Sequence, residues 1–154
     1  MGTLSAILTA LQQVDGRKAV IVLTDGLISA CRQEANASER LRRLSDVANR
    51  GSSVLYGVDT RAFSSGGSNM LDDDLQYLAD RTGGIAGRSN AIDGVLARVA
   101  ADQEGYYLLA YEPPPSTFKK GRLQYRDIAL KVTKPGVRVR ARAGFYNVPD
   151  NALR

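Results

Sequence analysis

The side chains of this 154-residue chain that could carry chemistry are oxygen donors and cations, because it contains no histidine. That absence removes the commonest general base and the commonest zinc ligand. A metal site would have to be built from hard oxygen ligands, which suit Mg²⁺, Ca²⁺ or Mn²⁺. The first carboxylate to consider is Asp25, near the end of Arg17-Lys18-Ala19-Val20-Ile21-Val22-Leu23-Thr24-Asp25-Gly26. An apolar run held between charges and a turn glycine reads as a strand over 18–24 buried on both faces, as in parallel sheets. Ligands of such sheets bind beyond the carboxyl ends of the strands, where Asp25 stands.

Asp59 ends the run Ser52-Ser53-Val54-Leu55-Tyr56-Gly57-Val58-Asp59 in the same way. It is either a second acid beside Asp25 or a turn or helix cap, and the cap is the expected role. As a pair the two aspartates could hold a metal for phosphoryl transfer. Neither strand end carries Asp-x-Asp, no Gly-x-x-x-x-Gly-Lys-Ser/Thr loop is present and no histidine can act as base, so the sequence argues against an enzyme. Asp72-Asp73-Asp74 could also ligate a metal, but three acids in the first turn of a helix complement its dipole and need no other reason.

These residues must be positioned by an alternation of helices and strands. Leu4, Ile7, Leu8, Leu11 and Val14 predict a helix over 3–14 with Thr3 as cap, and Asp15-Gly16 ends it before strand 18–24. Ser38, Leu41, Leu44, Val47 and Ala48 predict a capped helix over 37–50, followed by strand 52–59. A helix over 72–82, a short strand over 84–89 and a helix carrying Ile92, Val95, Leu96, Val99 and Ala100 continue the pattern to about residue 103. Beyond it the pattern is β only: 106–111, 125–133 and 137–146, with Lys134-Pro135-Gly136 as a hairpin turn. Alternation places Arg138, Arg140 and Arg142 on one face of the last strand, and Tyr107, Tyr111, Phe145 and Tyr146 are expected to fill the junction with the α/β part.

Hydrophobic residues at 44% and charged residues at 24% are ordinary globular values, and the lone Cys31 excludes an internal disulfide. The net charge of +5 is uneven: residues 1–115 hold 11 Lys/Arg against 14 Asp/Glu, and residues 116–154 hold 10 against 2. A solvated sheet face explains the basic segment better than an anionic partner, and nucleic acid is disfavoured because few aromatics interleave with the cations.

In this order the segments resemble the second half of a von Willebrand factor type A domain, and more narrowly the bacterial VWFA-related proteins. The resemblance rests on Gly2-Thr3 before a helix, the run 17–26, Val54-Leu55-Tyr56-Gly57-Val58, Leu78-Ala79-Asp80-Arg81-Thr82-Gly83-Gly84, Tyr106-Tyr107-Leu108-Leu109-Ala110-Tyr111-Glu112-Pro113 and Val139-Arg140-Ala141-Arg142-Ala143-Gly144-Phe145-Tyr146. It implies a partial Rossmann-like parallel sheet with flanking helices over 1–104 and a C-terminal antiparallel β segment over 105–154. It further implies a protein-binding, adhesion-type role, an extracytoplasmic or periplasmic setting and a metal-ion-dependent adhesion site. In that site Thr3 matches the second element and Asp25 the third. The first element, Asp-x-Ser-x-Ser, does not occur in the chain. The site is therefore incomplete, with Mg²⁺ expected in a longer parent and no metal in this chain alone. As the resemblance implies, strand 18–24 also lacks the neighbour that would pair with its outer side. An apolar edge of this kind invites association. Three arrangements would resolve it: a longer parent of which the chain is a fragment, pairing with a second copy or a partner, or cover by the C-terminal strands. The fragment is the expectation, with self-association through 18–24 as the consequence if the edge stays open.

Overall fold

The computed structural model describes residues 2–25, 36–63, 73–88, 92–107, 109–118, 124–137 and 139–147. Its elements are α1 (Gly2–Leu11), β1 (Lys18–Thr24), α2 (Ala37–Arg50), β2 (Ser53–Asp59), α3 (Asp73–Thr82), β3 (Ala86–Arg88), α4 (Ile92–Glu104), β4 (Tyr125–Asp127) and β5 (Gly144–Tyr146). Strands β1, β2 and β3 form a parallel sheet in that order, and β4 and β5 form a separate antiparallel pair. The chain is thus mixed α/β. Within the parallel sheet the register runs from Lys18 opposite Ser53 to Thr24 opposite Asp59, and β3 joins at Gly57 to Asp59.

Two apolar layers hold the sheet. On one face Leu8 of α1, Leu41, Leu44 and Ala48 of α2, Leu55 of β2 and Leu78 of α3 form one buried cluster, with Val20 and Val22 packed against it. On the other, Val54, Tyr56 and Val58 meet Val95 and Val99 of α4. Strand β2 is buried along its whole length, so the strand covered on both faces is this one.

Strand β1 departs from its sequence reading. It alternates between half-buried and exposed residues instead of being buried on both faces. Ala19, Ile21 and Leu23 share the face of Tyr56 by register, but α4 covers β2 and does not extend over β1. Ile21 is therefore 39% exposed and Leu23 59%. Composition could not show this, because an apolar run looks the same whether one helix layer covers it or two.

The C-terminal segment is less regular than its pattern predicts. Among the described residues, 106–111 is not a strand, and Tyr107 and Tyr111 are 96% and 66% exposed instead of filling a junction. Of the two long strands expected, only Tyr125–Asp127 and Gly144–Tyr146 pair. The hairpin itself is present. Tyr125 opposite Tyr146 and Asp127 opposite Gly144 set a register that closes on Pro135-Gly136, where Gly136 has φ +77°. Pro then Gly with positive φ is the central pair of a type II turn. Residues 128–133 and 139–143 are largely exposed, so little burial rewards their regular pairing.

Helix starts also differ from expectation: Thr3 lies inside α1, and α2 is preceded by Asn36 with Ser38 already in its first turn. The charged end of the sheet is held by a network around Tyr56, whose side chain is fully buried. Its hydroxyl donates to Asp102 Oδ2 at 2.9 Å and accepts from Arg17 Nη2 at 3.0 Å. Asp102 also accepts from Arg140, which ties the hairpin to α4. Tyr56→Phe would leave a half-buried guanidinium and carboxylate short of a partner, with an expected loss of about 1–3 kcal/mol. Urea denaturation checks this, and a change within about 0.5 kcal/mol would remove the hydroxyl from the account of stability.

Candidate functional site

The carboxyl ends of the three strands share one rim. Thr24 pairs with Asp59, and Asp59 with Arg88, so Asp25 stands one residue beyond that row and is exposed. Helix α1 reaches the same rim. Gln12 Nε2 donates to the Val47 carbonyl at 3.1 Å, so the C-terminal ends of α1 and α2 lie together at the opposite end of the sheet. The N-terminus of α1, with exposed Thr3, therefore points toward the rim that carries Asp25.

Asp59 is differently placed. It is 2% exposed and gripped by Arg61: Nε to Oδ1 at 2.9 Å, Nη2 to Oδ2 at 2.5 Å and the Arg61 backbone N–H to Oδ1 at 3.0 Å. The carboxylate caps the 3₁₀ turn Thr60–Phe63, and its charge is matched by the fork of a guanidinium.

Among the described residues no group of three or more Asp, Glu, Cys or His could hold a metal ion. Thr3 and Asp25 alone offer one hydroxyl and one carboxylate. Mg²⁺ requires near-octahedral oxygen coordination, and this donor set does not fit it. Arg140 is paired with Asp102, Arg142 is exposed, and Arg138 lies outside the described residues, as does Asp72.

A cleft of about 430 Å³ lies beside the rim, lined by Ser38, Glu39, Leu41, Arg42, Asp73, Asp74, Tyr77 and Tyr146. Arg42 of α2 links several of its walls. Its guanidinium bonds Glu39 at 2.5 Å and Asp46 at 3.1 Å, and lies 4.9 Å from the centre of the Tyr146 ring. Hydrogen bonds from Arg42, then Arg43, lower the Glu39 carboxyl to about 2. Burial raises Asp46 in spite of the Arg42 cation. The spacing Glu39, Arg42, Asp46 is legible as helix neighbours three and four apart. The partnership with Tyr146 is not, because it depends on where the hairpin lands.

Burial, then a hydrogen bond to Tyr77, pushes the Tyr146 phenol up to about 12. An ordinary phenol titrates near about 10, so the contribution of this group is fully present below that pH and is lost as pH rises toward 12. Tyr146→Phe is expected to flatten the alkaline loss of stability in that window, read from denaturation midpoints at stepped pH. An unchanged alkaline profile would place Tyr146 in solvent.

The third surface at this site is the outer side of β1. The Lys18 N–H bonds the Ser52 carbonyl at 3.0 Å, so residues 18, 20, 22 and 24 direct their backbone groups to β2. Residues 19, 21 and 23 direct theirs away from it. Among the described residues no strand pairs with that side. No helix among them is long and apolar enough to cross a membrane. No protein family, curated protein or solved structure matches the chain.

Proposed function

We propose that this chain is a non-catalytic protein-interaction module of the von Willebrand A class, and that it binds by strand addition at β1. The observation that supports this most is the combination of outward backbone groups and an exposed apolar face on one strand: Ala19, Ile21 and Leu23. Parallel sheets are ordinarily covered on both faces, so a parallel edge that is bare on one face is an acceptor for a strand. Asp25 and Thr3 border this edge at the rim, where a partner's groups would add to theirs. The capping of Asp59 by Arg61 weighs against a two-carboxylate reaction centre.

The test is capture from a lysate of the native source by immobilised chain. Proteins retained by the wild type, lost with Leu23→Lys and unaffected by Arg142→Glu support the reading. Retention that follows Arg142 and disappears at moderate salt would replace it with an anionic-surface role. Hydrolysis of an aryl phosphate with Mg²⁺, abolished by Asp25→Asn, would replace it with catalysis.

A further inference from the structure

The geometry points to a second copy of this chain as the occupant of the β1 edge, in an antiparallel pair of β1 strands centred on Ile21. This rests on the strand-addition reading and specifies its partner.

Three features of the strand make it complementary to itself. First, the residues whose backbone groups face outward are 19, 21 and 23, and their side chains are the exposed apolar ones. Turned about a two-fold axis through Ile21, each meets an outward-facing residue of the other copy: Ile21 opposite Ile21, Ala19 opposite Leu23. These three outward-facing pairs are then of the hydrogen-bonded type, alternating with non-hydrogen-bonded pairs such as Val20 opposite Val22, and about six backbone bonds form between the copies. A register shifted by one residue would set outward-facing groups against inward-facing ones and apolar faces against covered ones.

Second, the charges agree with the antiparallel direction. Arg17 and Lys18 precede the strand and Asp25 follows it. Reversal brings the cationic end of one copy to the carboxylate end of the other at both extremities. A parallel partner would set like against like.

Third, on the opposite face of the sheet the neighbouring helix adds apolar surface beside the same edge. Helix α1 contains no charged residue and sits at the β1 side of its layer, packed on α2. Its Ala6, Ile7 and Ala10 are exposed, Ile7 to 47%, and Val14 in the following turn to 52%. These side chains add apolar area beside the exposed hydroxyls of Thr3 and Thr9. Across the same axis α1 faces its own copy, which extends the interface beyond one strand pair toward the area that a specific dimer needs.

The test uses cysteine pairs on a Cys31→Ser background, with mild copper-catalysed oxidation. Ile21→Cys alone is expected to give a disulfide-linked dimer, since opposed Cα atoms of a hydrogen-bonded pair lie about 5.5 Å apart, within disulfide reach. Ala19→Cys mixed with Leu23→Cys is expected to link, and neither of them alone. Light scattering on the unmodified chain at high micromolar concentration is expected to give twice the 16.6 kDa of one copy. Ile21→Lys, which sets two cations face to face on the axis, is expected to weaken association at least about tenfold. A monomer by scattering that also fails to link through Ile21→Cys overturns the pairing. If such a monomer still loses its captured proteins with Leu23→Lys, strand addition stands and only the second copy falls. Linking through Ala19→Cys alone in an associated chain would overturn the register.

Discussion

Replacing Gly84 by alanine is expected to cost about 3 kcal/mol or more, the largest effect of any single methyl in the described fold. A Cβ at this position would lie 1.8 Å from the carbonyl oxygen of Leu55 and 2.8 Å from its carbon. The obstacle is backbone, and it belongs to the central strand. Leu55 cannot retreat without loss, because its N–H donates to Thr82 Oγ1 at 3.0 Å and its side chain lies in the main apolar cluster. Thr82 in turn donates to the Leu78 carbonyl at 2.8 Å, and the Gly84 N–H bonds Ala79 at 2.8 Å. Displacing β2 therefore disturbs α3 as well. Gly57→Ala offers the comparison. The three atoms nearest to its added Cβ all belong to the Leu75 side chain, the first at 2.3 Å, and a side chain can change rotamer where backbone cannot. Denaturant midpoints should fall much further for Gly84→Ala than for Gly57→Ala; the reverse order would contradict the placement of β3's approach against β2.

Arg42→Ala is expected to cost about 3 kcal/mol and to loosen the hairpin at the same time. The side chains of Arg42 and Asp46 are only 12% and 11% exposed, so removing the cation leaves a mostly buried carboxylate without its closest partner. The bond to Glu39 adds less, because Glu39 is 41% exposed and solvent screens it. Tyr146 loses the guanidinium over its ring. Asp46 is already held above the usual carboxylate range, and a group with a raised folded value gives up stability as pH rises through that value. The penalty of Arg42→Ala should accordingly shrink as pH falls and Asp46 takes up a proton. Adding Asp46→Asn to Arg42→Ala should recover part of the loss. Thermal unfolding at neutral and mildly acid pH checks both, and a penalty that grows on acidification would contradict the assignment.

Much of the α/β alternation was legible in the sequence because its signals are local. The apolar spacing of Leu41, Leu44 and Ala48 predicts α2, and the turn pair Pro135-Gly136 predicts the hairpin. What could not be read was tertiary. The two apolar runs ending in Asp25 and Asp59 look alike, yet one strand is central and covered on both faces, and the other is an edge covered on one. The aspartates differ for the same reason: Asp59 is fixed by a neighbour two residues on, whereas Asp25 is exposed. In the C-terminal segment the alternation of Val and Arg is a genuine strand pattern without a layer to pack on. Within it Arg140 pairs with Asp102 of α4, a partner that the alternation does not announce. The cleft around Arg42 needs Tyr146 from the far end of the chain, a contact that neither segment announces.

The most direct test of the account is residue-resolved amide hydrogen exchange along β1, measured at high dilution and again at high concentration. Alternation is expected in the dilute protein: amides of Ala19, Ile21 and Leu23 exchange fast, and those of Val20, Val22 and Thr24 exchange slowly. At high concentration the fast set should become protected. Equal protection of all six amides in the dilute monomer would contradict it, because the outer side of β1 would then be covered by the chain itself.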